Sequence, residues 1–273
     1  MRRSTLAVGA ATALALSGLA LPALPAHAAE QAQLSVLHAV PDLTVDVYVD
    51  GKRTLNDFKP GSLAGPLKLD AGTYSVAITA ADADDDSDPA IGPVDLSLEA
   101  GGNYTAVAHL KTNGDPTATL FDNDTSKTDP GQGRLTVRHV AAAPAVDVLA
   151  GGDAVISDPT NPNEKSLDLD AGTIEASVAA AGTTDPVIGP ANIAVEEGVL
   201  TIAYAWGSLD DDNLKLATQT ISGLHSGPGG VNGGEAGLAA TGALPGVAAA
   251  LLVGLAGALV VRRSTRTPAR TTR

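Results

Sequence analysis

The 273-residue chain contains no cysteine. That excludes disulfides, thiolate metal sites and cysteine nucleophiles, so its stability must come from packed cores. Aromatic residues make up only 3%. The cores must therefore be mostly Val, Leu, Ile and Ala, with Tyr48, Tyr74, Tyr104, Tyr204 and Trp206 as the large fillers. Cations are scarce as well. Of 17 Lys and Arg, two stand near the N-terminus and five in the last twelve residues. The ten that remain face 31 acids between Glu30 and Glu235, a net charge of −21 for that stretch. Such a surface stays hydrated and repels nucleic acid, whose backbone requires a basic footprint.

What the chain does have is addresses at both ends. Residues 1–28 read as a secretory signal: Arg2 and Arg3, an apolar run, then small residues at Ala26 and Ala28, with cleavage expected before Ala29. The arginine pair also fits a twin-arginine signal, but Thr5 stands where an apolar residue is wanted, which favours the general secretory route. At the other end, residues 243–261 carry no charge and are long enough to cross a bilayer as a helix. The tail 262–273 follows with five arginines and no acid, which resist translocation and stay inside.

Between the ends the sequence is duplicated. "LSVLHAVPDLTVDVYVDG" (34–51) answers "LTVRHVAAAPAVDVLAGG" (135–152), setting His38 against His139 and Asp46 against Asp147. "LKLDAGTYSVAI" (67–78) answers "LDLDAGTIEASV" (167–178), and "DPAIGPVDLSLEAG" (88–101) answers "DPVIGPANIAVEEG" (185–198). A period of about 100 residues is a whole small domain rather than a solenoid unit. The expected units are 32–127 and 134–222, joined by 128–133. Each reads as all-β. "TVDVYVDG" alternates Val with polar residues, the period of a strand with one buried face, and ends in an Asp-Gly turn. Further short strands between Gly, Pro and Asp are spaced as in a β-sandwich, and two separate sandwiches fit better than one large barrel.

"VLHAVPDLTVDVYVDG", "LDAGTYSVAI" and "LEAGGNYTAVA" together resemble the bacterial domain of unknown function 4397. Both repeats match in order, though the second dilutes the Pro-Asp turn with Ala141–Ala143 and turns "NYTAVA" into "VLTIAYA". The resemblance implies a secreted protein of two tandem immunoglobulin-like β-sandwiches, and it implies no established catalytic activity.

Several residues invite chemical readings. His38 and His139 continue the apolar phase of their strands and should point toward a core as structural histidines, with Asp46 and Asp147 as hydrogen-bond acceptors. Asp82, Asp84, Asp86 and Asp88 alternate as in a calcium loop. Ser87 replaces the required Gly and Pro93 the final Glu, so a solvated hairpin loop is favoured over a weak calcium site. "LDDDN" (209–213) reads the same way. No G-x-S-x-G or H-E-x-x-H occurs, and a non-enzymatic protein without cofactor is expected.

One motif remains. Leu238-Ala239-Ala240-Thr241-Gly242 follows the glycine-rich segment 223–237 and precedes the apolar span and the arginines. That order resembles a Gram-positive cell-wall sorting signal, and the Leu-Ala-x-Thr-Gly form resembles the variant read by class E sortases of actinobacteria. The resemblance implies that a sortase cysteine attacks the Thr241 carbonyl, expels Gly242 and passes the acyl group to an amine of a peptidoglycan precursor. The expected protein is a secreted, wall-anchored surface protein displaying two acidic modules for adhesion, binding or envelope structure. The alternative is a surface receptor for a glycan, small ligand or calcium, held by its C-terminal membrane helix.

Overall fold

Each repeat builds eight strands in the same order. The first has β1 (Ala32–Ala39), β2 (Val45–Val49), β3 (Lys52–Phe58), β4 (Leu63–Leu69), β5 (Gly72–Ala80), β6 (Ile91–Leu98), β7 (Asn103–Leu110) and β8 (Pro116–Asp122). The second has β9 (Gln132–Ala142), β10 (Val146–Ala150), β11 (Asp153–Ile156), β12 (Glu164–Asp170), β13 (Gly172–Ala180), β14 (Pro186–Val195), β15 (Val199–Ser208) and β16 (Lys215–Ser222). These come from a computed structural model, which describes residues 30–226. The expected signal and sorting motif, the apolar span and the arginine tail all lie outside the described residues.

The strands form four sheets of four, in the orders β4-β1-β7-β8 and β3-β2-β5-β6 in the first repeat, and β12-β9-β15-β16 and β11-β10-β13-β14 in the second. The two repeats thus share one all-β, sandwich-type topology, including parallel β1/β7 and β9/β15 pairs. Turn chemistry explains several boundaries. Asp50 and Gly51 both take positive φ (49° and 73°) between Val49 and its partner Lys52, which is what a tight two-residue hairpin requires. In the "IGP" blocks Gly92 and Gly189 have φ of 95° and 90°, beside shifts in the β5/β6 and β13/β14 registers. A Cβ there would stand 2.6 Å from the Val76 carbonyl oxygen and 3.0 Å from that of Ala176. Glycine is thus needed twice, for the backbone conformation and for the close approach.

Each repeat has its own aliphatic core: Leu34, Val47, Ile78 and Leu96 among others in the first, Leu135, Val148, Ile193 and Val195 in the second. A third core lies between the repeats. Leu37, Ala39, Val107 and Phe121 of the first pack with Val140, Ile202, Tyr204 and Trp206 of the second. Leu224, within the segment read as glycine-rich linker, is fully buried there too. Burying each large apolar side chain contributes roughly 1.5–3 kcal/mol, so the junction rivals the individual cores in weight.

This third core changes the expected burial pattern. Central strands β1, β7, β9 and β15 are buried on both faces rather than one: alternate residues serve the repeat's own core and the junction. The expected large fillers Tyr48, Tyr104, Tyr204 and Trp206 are buried, Tyr74 is partly buried, and Phe121 joins them.

Candidate functional site

His38 and His139 are buried as structural side chains, each about 1% exposed or less. Their hydrogen-bond partners differ from the expected aspartates. His38 Nε2 donates to the Leu43 carbonyl at 2.6 Å and His139 Nε2 to that of Pro144 at 2.9 Å, each five residues ahead. Each ring therefore closes the loop between the first two strands of its repeat. Burial lowers the pKa of both below the ordinary histidine value, against the smaller opposing effect of the carbonyl bond.

The paired aspartates serve the next connection. Asp46 Oδ1 accepts from the Asp57 backbone N–H at 2.8 Å, and Asp147 Oδ1 from that of Asp158 at 3.1 Å. Both donors sit in the left-handed region, with φ of 50° and 57°. "VDVYV" therefore does not expose its aspartate: Asp46 is fully buried because the turn needs an acceptor. The repeats differ at the second oxygen. Asp46 Oδ2 lies 3.2 Å from Arg53 Nη1, an ion pair not aligned for a hydrogen bond. Asp147 Oδ2 instead accepts from the Gly182 N–H at 2.8 Å.

The acidic loop between β5 and β6 is held by its backbone. Arg53 Nη2 donates to the Ala83 and Asp84 carbonyls at 3.4 Å, and Asp85 Oδ1 accepts from the Ser87 N–H at 3.0 Å. Asp82, Asp84 and Asp88 are exposed, Asp86 is partly exposed, and no three of His, Asp or Glu converge as a metal site among the described residues. The 209–213 turn is likewise an intramolecular cap, with Asn213 Oδ1 accepting from the Ser208 N–H at 2.7 Å.

The polar groups the structure does bring together are at the junction. Arg138 on β9 is 1% exposed. Its Nε donates to Glu164 Oε2 at 2.6 Å, Nη1 to the Tyr204 hydroxyl at 2.9 Å and Nη2 to Asn123 Oδ1 at 2.9 Å, while the guanidinium lies 4.4 Å from the Phe121 ring centroid. Tyr204 passes its proton on to Gln219 Oε1 at 2.6 Å, which also takes Thr105 Oγ1 at 3.1 Å. Arg134, four residues before it on the same face of β9, holds Asp168 through two bonds of 2.7 and 2.9 Å and Asp124 at 2.8 Å. Sequence reading missed both arginines. For Arg138 the available signal was a charge in an otherwise apolar run, "LTVRHVAAA".

The junction has a cleft at one end, about 460 Å³, lined by His109, Lys111, Thr112, Asn113, Thr117, Thr119, Asn161 and Pro162. His109 is 1% exposed, and burial lowers its pKa. Its Nδ1 meets the Leu110 carbonyl at 2.9 Å, which can only accept, so Nδ1 carries the proton. Nε2 therefore accepts from the Thr119 hydroxyl at 2.9 Å. Asn161 gives one amide hydrogen across the junction, to Leu110 O at 2.7 Å, and the other within its own repeat, to Ala141 O at 2.6 Å. A neighbouring depression of about 370 Å³ is bordered by Asp42, Leu110, Asp211 and Asn213.

The expected sortase residues Leu238–Gly242 and the signal-cleavage residues Ala26, Ala28 and Ala29 lie outside the described residues. Ser226, the last described residue, bonds the Thr128 carbonyl through its hydroxyl, while Thr128 N–H donates to Leu224 O at 2.9 Å.

No curated protein matches the chain in sequence. Residues 32–149, the whole first repeat and the first two strands of the second, match the family described as Domain of unknown function (DUF4397).

Proposed function

We propose that the chain is a non-enzymatic surface protein, exported and covalently anchored to peptidoglycan by a sortase. It displays its acidic two-repeat body, a pair of immunoglobulin-like sandwiches, for adhesion, binding or envelope structure. The observation that carries this reading is the order of Leu238–Gly242, an uncharged span and five arginines after the folded body. The glycine-rich composition of residues 227–237 supports it, since such a sequence can present Leu238–Gly242 to an enzyme in extended form.

In this reading the span and arginines hold the chain at the outer face of the membrane while the sortase cleaves between Thr241 and Gly242. The reacting chemistry belongs to the sortase, with the peptidoglycan amine as second partner. The test is the mass of the C-terminal peptide from protein released by wall digestion. A peptide ending at Thr241 and carrying a peptidoglycan fragment is expected. Recovery only from membranes, intact through Arg273, would overturn anchoring. The alternative, a receptor held by its membrane helix, would then stand, and the open cleft at the junction favours a binding role in either case.

A further inference from the structure

The junction has two ends that are equivalent by repeat, and only one is filled. At the filled end the Trp206 ring lies so close to Gly61 that a Cβ there would stand 3.2 Å from it, and Lys215 covers the ring at 5.4 Å. Strand register supplies the equivalent positions. Ala39 pairs with His109 where Val140 pairs with Trp206, and His109 pairs with Thr117 where Trp206 pairs with Lys215. Gly61 N–H bonds the His38 carbonyl and His38 N–H the Ser62 carbonyl, while His139 N–H bonds Asn163, which places Pro162 opposite Gly61. The open end thus has His109, Pro162 and Thr117 where the filled end has Trp206, Gly61 and Lys215. An imidazole is smaller than an indole, and this one is turned inward onto Leu110 and Thr119. The cleft is what the missing indole leaves.

Its lining carries a cation and neutral polar groups, and the nearby Asp115 carboxylate is held by Asn113 Nδ2 at 2.8 Å. No lining residue is acidic, and Lys111 has no carboxylate within ion-pair distance among the described residues. Thr112 and Thr117 make no side-chain hydrogen bond within the body, Asn161 keeps its Oδ1 as an acceptor, and the Thr119 hydroxyl, donating to His109, keeps its oxygen as an acceptor. A volume of about 460 Å³ lies within the usual range for small-ligand sites, roughly 300–1,000 Å³, which favour boundaries between folded units. The adjoining depression, by contrast, is bordered by Asp42 and Asp211 and offers no cation.

We propose that this open end of the junction binds a small carboxylate-bearing sugar, its carboxylate on Lys111 and its hydroxyls on Thr117, Thr119 and Asn161. The proposal rests on reading the body as a binding module and is independent of how the chain is anchored. Saturation-transfer NMR on the full chain in mild detergent tests it, with glucuronic acid and glucose as probes. Glucuronic acid should give a saturable signal, and Lys111→Gln should weaken it roughly tenfold, the worth of one charge-assisted hydrogen bond. His109→Trp, which copies the filled end, should abolish it with the unfolding midpoint still above the measuring temperature. Lys111→Gln is exposed and keeps the test decisive if the tryptophan variant fails to fold. No saturable signal from either sugar would overturn both the site and its binding role. Equal signals from both sugars, insensitive to Lys111→Gln, would overturn this site while leaving the body a binding module.

Discussion

The two repeats share strands, turns and buried histidines, yet the faces they turn toward each other are rewritten. Where the first has Leu37, Val107 and Phe121, the second has Arg138, Tyr204 and Gln219 at the register-equivalent positions. Where the first has Thr105 and His109, the second has Ile202 and Trp206. The inner cores and turns solve the same local problem twice with residues of the same kind, such as Leu96 and Leu98 answered by Ile193 and Val195. The junction faces contact each other rather than copies of themselves, so each becomes the complement of its partner. A polar side chain on one repeat finds its acceptor on the other, and the guanidinium of Arg138 fits under Phe121.

That contrast can be broken most severely at the filled end. Trp206→Ala should cost about 3–5 kcal/mol, the usual range for emptying a large aromatic site. It should also split chemical unfolding into two transitions, because the third core is what joins the repeats. A single transition displaced by under about 1 kcal/mol would mean that the junction contributes little.

Arg138→Leu, which gives the second repeat the first repeat's residue, should cost about 3 kcal/mol by leaving Tyr204, Asn123 and Glu164 without their donor. Denaturant midpoints at constant m-value would measure it. A neutral result would show that the arginine is replaceable by apolar packing, as some buried ion pairs are.

The smallest effect concerns what the repeats share. His38, His109 and His139 all have pKa values lowered by burial from the ordinary 6.5. The unfolded chain therefore binds more protons, so this contribution is complete above about pH 6.5 and declines as pH falls below it. Carboxylates held low, such as Asp85 and Asp124, lose theirs only as pH falls below the ordinary 3.8, which separates the two windows. Thermal midpoints measured from pH 7 to pH 5 should fall for the native chain, and less for a variant carrying both His38→Gln and His139→Gln. Parallel curves would remove histidine burial as the cause.

Much of each repeat was legible in its residues. Val45, Val47 and Val49 mark β2, Asp50-Gly51 marks its hairpin, and the paired "IGP" blocks mark the same glycine bulge in both repeats. Asp46 was expected to accept from His38 and accepts from Asp57 instead, because alternation reports polarity and not which turn eleven residues on needs an acceptor. Two-sided burial of β15 was visible in "LTIAYAWG", a run without alternation, as expected for a strand covered on both faces. The cleft at His109 had no local signature, because its walls come from β7, β8 and the loop before β12.

By itself, the sequence determined the duplication and the strands and turns of each copy, since periodicity, glycine and charge act over a few neighbouring residues. Only the tertiary structure decided which sheet of each sandwich is covered, that Arg138 is buried, and that one end of the junction stays open. Those outcomes depend on pairs such as Leu110 with Asn161 and Gly61 with Trp206. Residues so far apart along the chain have complementary shape and charge only once both repeats are folded.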